Sequence, residues 1–173
     1  MGYAGGSSPD PDYGHIGDHT ETVQVDYDPA RITYKELLAI FWQSHDPTHR
    51  TWSRQYRHVV FYQDDTQRRL AEKSKAALEQ TLDKTVRTEI APLQSFTWAE
   101  EYHQKYLLKS ERALVQELQR IYPRPRDFDN STAVARLNGY VAGDGTRQRL
   151  AREIDQLGLS ARGRDLLMGL MRP

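Results

Sequence analysis

Two pairs of histidines have a spacing that is typical of helical metal sites. His15 and His19 form the first pair, and His45 and His49 form the second. On a helix, side chains four residues apart lie on one face and can ligate the same metal ion. Both pairs lie in segments that contain glycine or proline, where this spacing defines no common face. We therefore predict no metal site.

The sequence contains no cysteine among its 173 residues. Disulfide bonds and thiolate metal ligands are therefore excluded for this chain. Thiol chemistry is excluded as well, because its nucleophile is a thiolate and a methionine thioether has no proton to lose. No residue of the sequence can become the sulfur anion that such chemistry needs.

Charge and hydropathy argue against two broad classes of partner. Lysine plus arginine and aspartate plus glutamate both number 24, and neither sign is concentrated in a stripe or tail. A nucleic-acid partner is therefore not expected. The most apolar runs, such as residues 36–42, are far shorter than the ~20 residues that cross a bilayer, so we expect no membrane partner. The composition predicts a soluble, cytoplasmic protein.

Strands and helices alternate in the first part of the sequence. Residues 1–20 are rich in glycine, proline and serine and predict a loop. Residues 21–27 alternate polar and apolar side chains, which is typical of a strand with one buried face. Thr33 and Glu36 form a capping box that begins a short amphipathic helix. A loop over residues 45–54 is followed by a predicted strand at 56–62, a helix at 65–81 and a strand at 86–90 that Pro92 ends.

The second part of the sequence is predicted to be helical. Thr97 and Glu100 repeat the capping box at the head of a segment that runs toward Ile121, where Pro123 and Pro125 break it. Three short helices are then predicted at residues 131–141, 146–157 and 160–171, with glycines at positions 143, 145 and 158 between them. The pattern is that of an α/β body with a helical tail.

A series of short motifs lies between residues 2 and 106. They are Tyr3-Ala4-Gly5-Gly6, Asp18-His19-Thr20-Glu21 with Tyr27-Asp28-Pro29, Phe41-Trp42, His45-Asp46-Pro47-Thr48, Gln55-Tyr56-Arg57, Thr88-Glu89-Ile90, and Ala99-Glu100-Glu101-Tyr102-His103-Gln104. In this order they resemble the peptide methionine sulfoxide reductase A family. Ser131-Thr132-Ala133 and Leu137-Asn138-Gly139-Tyr140 also resemble an extension that part of the family has.

The resemblance implies a fold of the α/β (α+β) class. The family has a ferredoxin-like sandwich, which would here occupy residues 1–122 without its first strand and helix. Residues 123–173 would be the helical C-terminal extension.

The resemblance also implies residues that protonate or hydrogen-bond the oxygen of a sulfoxide. Glu21 corresponds to the family's proton-donating glutamate, a general acid toward the developing oxyanion. Tyr13 and Tyr56 correspond to tyrosines whose hydroxyls hold that oxygen. The implied substrate is methionine S-sulfoxide in peptides or proteins, in a family that repairs oxidative damage. No cofactor is implied beyond an external thiol reductant such as thioredoxin.

Three further residues are candidates for binding the substrate. Trp52 could replace the family's aromatic wall for the substrate methyl group, or could instead pack on its neighbours. In this part of the sequence the family has an aspartate two residues before a glycine. This chain departs from that pattern and has Thr51-Trp52-Ser53-Arg54 instead. Glu100 is predicted to cap a helix and to line the rim of the pocket. His103 is predicted to buttress the site.

The family's nucleophile is a cysteine in a Gly-Cys-Phe-Trp motif, which this sequence does not contain. In one account the sequence begins at an internal methionine, and a preceding segment of roughly thirty residues, a strand and a helix, carries the motif. In a second account the chain binds methionine sulfoxide or a peptide without reducing it. In a third it is a structural or regulatory subunit. In every account these residues by themselves are predicted to lack reductase activity.

Overall fold

The computed structural model describes residues 1–171, which form two compact units. The first unit is Met1–Glu100, and the second begins at Glu101. The predicted α/β body followed by a helical tail is confirmed, because every strand of the described residues precedes residue 100. The boundary between residues 122 and 123 that the resemblance implies stays a prediction.

The first unit contains short strands and two helices. Its strands are β1 (Gly2–Ala4), β2 (Thr20–Thr22), β3 (Val59–Tyr62), β4 (Glu89–Pro92) and β5 (Phe96–Trp98), and its helices are α1 (Tyr34–Gln43) and α2 (Asp65–Leu82).

The second unit is helical throughout its described part. Its α-helices are α3 (Tyr106–Lys109), α4 (Arg112–Ile121), α5 (Pro125–Asn130), α6 (Thr132–Val141), α7 (Arg147–Glu153) and α8 (Ala161–Leu170), with 3-10 turns at Glu101–His103 and Ile154–Gln156.

Strand β1 is the centre of a three-stranded antiparallel sheet, between β2 and β5. The prediction of a loop over residues 1–20 is therefore wrong for Gly2–Ala4. Two distant segments pair with this stretch, and its own composition contains no sign of them. Gly2 suits this position, because a Cβ atom there would lie 2.5 Å from the backbone carbonyl oxygen of Thr97 in the paired strand.

Strand β2 is shorter than its sequence pattern predicts. Regular pairing ends at Thr22, whereas the alternation of side chains continues to residue 27. Val23 and Val25 are 65% and 57% exposed, so the predicted buried face is wrong beyond Thr22. Alternation alone does not make a strand where no partner pairs with it.

Strands β3 and β4 are parallel, and α2 is the crossover between them. The predicted helix over residues 65–81 is confirmed, and Asp64 caps its first turn by accepting from the Gln67 amide at 2.8 Å. The strand predicted over residues 56–62 is shorter in the structure, where it begins at Val59. The strand predicted over residues 86–90 is shifted to Glu89–Pro92. Pro92 belongs to β4, where it is tolerated because β3 is the only strand that pairs with β4 in the described sheet.

The two predicted capping boxes have opposite outcomes. At α1, Thr33 Oγ1 accepts from the Glu36 amide at 3.3 Å, and the Glu36 carboxylate accepts from the Thr33 amide at 2.7 Å. The prediction at Thr97 and Glu100 is wrong, because Thr97 lies in β5 opposite Tyr3. The helical segment predicted from there to Ile121 is divided into a 3-10 turn, α3 and α4.

The second unit has a hydrophobic core of its own. Its fully buried side chains include Leu108, Leu114, Leu118, Leu137, Leu150 and Leu167. The three predicted C-terminal helices are confirmed as α6, α7 and α8, whose first turns are capped by Ser131, Thr146 and Ser160. Helix α5 was not predicted, since Pro125 begins it rather than only ending the preceding helix. Within residues 1–171, no helix combines the length and apolar composition needed to cross a bilayer.

Candidate functional site

Glu21 is held on strand β2 by Gln55. The Glu21 amide donates to the Gln55 carbonyl oxygen at 3.0 Å, and Nε2 of Gln55 donates to Oε1 of Glu21 at 2.8 Å. Both side chains are partly buried. A carboxyl group fixed in this way needs little reorganisation before it hydrogen-bonds or protonates a bound oxygen.

Tyr56 follows Gln55 directly and presents an accessible phenol. Its side chain is 49% exposed, and its ring centroid lies 6.3 Å from that of Trp52. Trp52 is 89% exposed, so the alternative in which it packs into its neighbours is limited to this one ring contact. The loop therefore presents two adjacent aromatic side chains next to the Glu21–Gln55 pair.

Tyr3, Glu100 and Tyr13 form a second group of contacts in the first unit. The Tyr3 hydroxyl donates to Oε2 of Glu100 at 2.8 Å, and the Tyr13 amide donates to Oε1 of the same carboxylate at 2.8 Å. Glu100 therefore fixes the loop that carries Tyr13, rather than capping a helix as predicted. The Tyr13 side chain is 53% exposed, which leaves its ring accessible to a ligand.

The sheet connects the two groups. Tyr3 lies directly opposite Glu21 in the antiparallel register of β1 and β2, and opposite Thr97 in the register of β1 and β5. Opposed residues in antiparallel strands project from the same face. Glu21 and Tyr3 therefore share one face of the sheet, and Glu100 is bound at the Tyr3 hydroxyl.

Arg57 ties the surrounding segments together. Its Nε donates to Thr20 Oγ1 at 2.7 Å, and its Nη1 pairs with the Glu89 carboxylate at 2.7 Å. Nη2 donates to the carbonyl oxygen of Gly5 at 3.3 Å. A planar guanidinium with several donors is suited to such a junction. Arg57 thus fixes the segment that begins with Gln55 and Tyr56 against β2 and β4.

The loop that bears Tyr13 is closed at its base by polar contacts. The Asp18 carboxylate accepts from the amides and hydroxyls of Ser7 and Ser8 at 2.8–3.0 Å, and hydrogen bonds from Ser8 hold the pKa of Asp18 well below its usual range. His19 is buried and uses both ring nitrogens. Its Nε2 donates to the Ser8 carbonyl oxygen at 2.8 Å, and its Nδ1 accepts from the Gly6 amide at 3.3 Å.

His45 is also fully engaged in hydrogen bonds. Its Nδ1 donates to the Phe41 carbonyl oxygen at 3.0 Å, and its Nε2 accepts from Thr88 Oγ1 at 2.9 Å. Burial, and then the nearby His58 ring at 4.3 Å, lower the pKa of His45. Each four-residue histidine pair thus contains one ring whose nitrogens are already occupied, and residues 1–171 contain no cluster of three or more His, Asp or Glu side chains suited to a metal ion.

His103 lies in the second unit, at the end of the 3-10 turn Glu101–His103. Its ring centroid is 4.2 Å from that of Tyr102. The buttressing role predicted for His103 stays a prediction.

The sequence reasoning missed two residues of this arrangement. The sequence presents Gln55 only as part of a motif, although it is the side chain that holds Glu21. Tyr3 was assigned to a loop, although it is buried and donates to Glu100. The signal for Gln55 was its position directly before Tyr56, whereas nothing local to Tyr3 indicated its partner.

The side chains that the sequence singles out are of types that can hydrogen-bond an anionic or strongly dipolar oxygen. Glu21 supplies a carboxyl group, and Tyr13 and Tyr56 supply exposed phenols. Gln55 donates to the Glu21 carboxylate, and Glu100 accepts from the Tyr13 main-chain amide. A carboxylic acid can also transfer a proton to a ligand oxygen, but none of the three side chains is a sulfur nucleophile.

The sequence profile described as "Peptide methionine sulfoxide reductase" matches residues 1–133. The chain is 40% identical over 162 residues to the Drosophila melanogaster peptide methionine sulfoxide reductase, covering 92% of this chain and 65% of that protein. It is 38% identical over 167 residues to the peptide methionine sulfoxide reductase A5 of Oryza sativa subsp. japonica, covering 91% of this chain and 65% of that protein. The chain therefore spans about two thirds of the length of these curated relatives.

A solved structure is similar to part of the chain. The crystal structure of Mxr1 from Saccharomyces cerevisiae in reduced form has a TM-score of 0.60 and 32% sequence identity. The match covers 64% of this chain and 70% of that chain.

Proposed function

The chain belongs to the peptide methionine sulfoxide reductase family, and on that premise we propose that its first unit binds methionine S-sulfoxide in peptides or proteins through the sulfoxide oxygen. Glu21, Tyr13 and Tyr56 are the residues that we propose to contact this oxygen. The observation that carries the proposal is the 2.8 Å hydrogen bond from Gln55 to Glu21, which fixes the carboxyl group of the general acid.

The proposed roles follow from the polarity of the sulfoxide. Its oxygen carries negative charge and accepts hydrogen bonds, which two phenols and a protonated carboxyl group can donate. When a thiolate attacks the sulfur, the sulfur–oxygen bond breaks and the methionine is reduced by two electrons. The sulfur–sulfur bond made in the attack then breaks as well, and the thiol sulfur takes the oxygen as sulfenic acid, oxidised by the two electrons that the methionine gains. Glu21 would supply the proton that the developing oxyanion needs.

We propose that these 173 residues by themselves stop at binding. The attack on sulfur needs a thiolate, and the sequence has no cysteine to provide one. A thioredoxin-like reductant is a partner that we propose only for a form of the protein that includes a nucleophilic cysteine. We place the proposed function in the cytoplasm and in the repair of oxidised methionine.

Isothermal titration calorimetry tests the proposal. N-acetyl-L-methionine S-sulfoxide methylamide is titrated into wild type, Glu21→Leu, Tyr13→Phe and Tyr56→Phe, and the reduced thioether is the control ligand. We expect the sulfoxide to bind. The thioether should bind at least fivefold more weakly, because it lacks the oxygen and therefore loses the free energy of about one hydrogen bond. Each substitution is expected to weaken sulfoxide binding by a similar factor. Equal and negligible heats for both ligands in wild type would overturn the proposal.

A further inference from the structure

Trp52 is the most exposed of the large apolar side chains in the described chain, at 89%. It contacts one aromatic ring, that of Tyr56, at a centroid distance of 6.3 Å and an interplanar angle of 58°. Tyr56 is in turn one of the residues that we propose to contact the sulfoxide oxygen. A large indole therefore lies beside the proposed site with most of its surface in water.

The backbone that presents Trp52 is held in place directly after it. The Gln55 amide donates to Ser53 Oγ at 3.2 Å, and the Tyr56 amide donates to the Ser53 carbonyl oxygen at 3.3 Å. Thr20 Oγ1 also donates to the Arg54 carbonyl oxygen at 3.0 Å. Residues 53–56 thus form a turn that is attached to strand β2, so the backbone that follows Trp52 is fixed beside the proposed site.

We propose that Trp52 binds the side chain next to methionine sulfoxide in a peptide substrate, and that it makes the site prefer peptides with an apolar or aromatic residue at that position. The inference rests on the proposed function, because it extends the same site from the sulfoxide to its neighbour in the chain.

The size of the exposed surface favours a whole side chain over a methyl group. An aromatic side chain of this size buries 150–250 Å² when it is fully covered. The methyl group of methionine sulfoxide would cover only a small part of that area and would leave most of the indole in water. A neighbouring apolar side chain can cover a ring face, and tryptophans used in this way dominate the energetics of many peptide and protein interfaces.

The test compares three ligands of increasing length. They are the minimal N-acetyl methionine S-sulfoxide methylamide, a tripeptide with glycine on both sides of the sulfoxide, and a tripeptide with phenylalanine on both sides. Each is titrated into wild type, Trp52→Ala and Trp52→Phe. Arg50→Ala is the matched control, because Arg50 is an exposed residue of the same loop.

We expect wild type to bind the phenylalanine peptide on the order of tenfold more tightly than the glycine peptide. Trp52→Ala should abolish this difference between the two tripeptides, whereas Trp52→Phe and Arg50→Ala should retain it. A blue shift of tryptophan emission on binding the phenylalanine peptide should be present in wild type and lost in Trp52→Phe.

The outcomes separate the two proposals. If wild type binds none of the three ligands, the proposed function fails. If it binds the minimal ligand but does not distinguish the two tripeptides, or if Trp52→Ala weakens all three ligands equally, the role of Trp52 is refuted while sulfoxide binding stands.

Discussion

Glu21 and Gln55 bind each other through both main chain and side chain, across 34 residues of sequence. The Glu21 amide donates to the Gln55 carbonyl oxygen at 3.0 Å, and the Gln55 side-chain amide donates to Glu21 Oε1 at 2.8 Å. The main-chain bond fixes where β2 meets the turn at residues 53–56, and the side-chain bond fixes the carboxyl group.

Gln55→Leu should destabilise the protein, because it leaves a partly buried carboxylate without this donor. We expect a loss of about 1.5–3 kcal/mol in the free energy of unfolding, the range for a hydrogen bond to a charged group. Urea denaturation followed by circular dichroism measures it.

Gln24→Leu is the matched control for that substitution. Gln24 donates to Asp26 at 3.4 Å, and both of these side chains are exposed. The same chemical change should therefore cost less than about 0.5 kcal/mol there. Equal losses for the two variants would contradict a special role for the Gln55 amide.

Glu100 should control the order of the loop that carries Tyr13. Glu100→Ala removes the acceptor of the Tyr13 amide, which should then exchange its hydrogen faster by at least an order of magnitude. Tyr3→Phe removes only the hydroxyl that donates to the other carboxylate oxygen, so exchange at Tyr13 should change little. Amide hydrogen exchange measured by NMR compares the two variants, and equal acceleration in both would contradict an independent role of Glu100, because it would hold the loop only with the help of the Tyr3 hydroxyl.

Local signals in the sequence predicted the helices well. The capping box of Thr33 and Glu36 depends on residues three positions apart, and the structure contains both of its hydrogen bonds. The predicted and observed ends of helix α2 differ by one residue. The apolar positions and N-terminal residues that determine this helix all lie within one segment of the sequence. Such features need no knowledge of the rest of the chain.

Signals that depend on distant partners failed. The Thr97 to Glu100 spacing is as good a capping box as the one at Thr33, but pairing with Tyr3 places Thr97 in a strand. Gly2–Ala4 has the composition of a loop and becomes the central strand because β2 and β5 lie on either side of it. The same limit applies to the candidate site, where Glu21 is proposed from its motif but its contact with Gln55 could not be predicted.

Lowering the pH should destabilise the first unit through His45. Burial and the nearby His58 lower the folded-state pKa of His45 below its ordinary value of 6.5, so the unfolded chain takes up this proton at higher pH. The stabilising contribution is therefore complete above pH 6.5 and is lost as the pH falls toward the folded pKa. The carboxylate of Asp46 opposes this effect without reversing it.

His45→Gln should flatten the dependence of the unfolding free energy on pH as the pH falls below 6.5. The same substitution at His49, which is exposed on the same loop, controls for the general effect of removing an imidazole. Urea denaturation at a series of pH values measures both. An unchanged slope in His45→Gln would contradict the assignment.

The purified 173-residue chain should show no reductase turnover with dithiothreitol and a methionine S-sulfoxide peptide. The expectation follows from the absence of a thiol that could attack the sulfoxide sulfur. Chromatographic separation of the sulfoxide and thioether forms of the peptide measures the product. Catalytic formation of the thioether above the rate with reductant alone would mean that another group acts as nucleophile.

Tyr140 should make the second unit sensitive to alkaline pH. Its hydroxyl donates to Glu153, which also accepts from Arg136 at 2.8 Å. Burial and the Glu153 carboxylate raise the pKa of Tyr140 to about 12 from its ordinary value of 10. Between these two pH values the unfolded chain loses the proton and the folded chain keeps it, so stability falls as the pH rises from 10 to 12.

Tyr140→Phe should remove that alkaline loss and should cost about 1–3 kcal/mol at neutral pH, because Glu153 loses a buried donor. Tyr106→Phe is the control, since Tyr106 lies in the same unit and is 69% exposed. Denaturation at pH 7 and across pH 9–12 separates the two effects. If both variants keep the wild-type alkaline slope, the ionisation of Tyr140 is not coupled to folding, and the Glu153 contact contributes only at neutral pH.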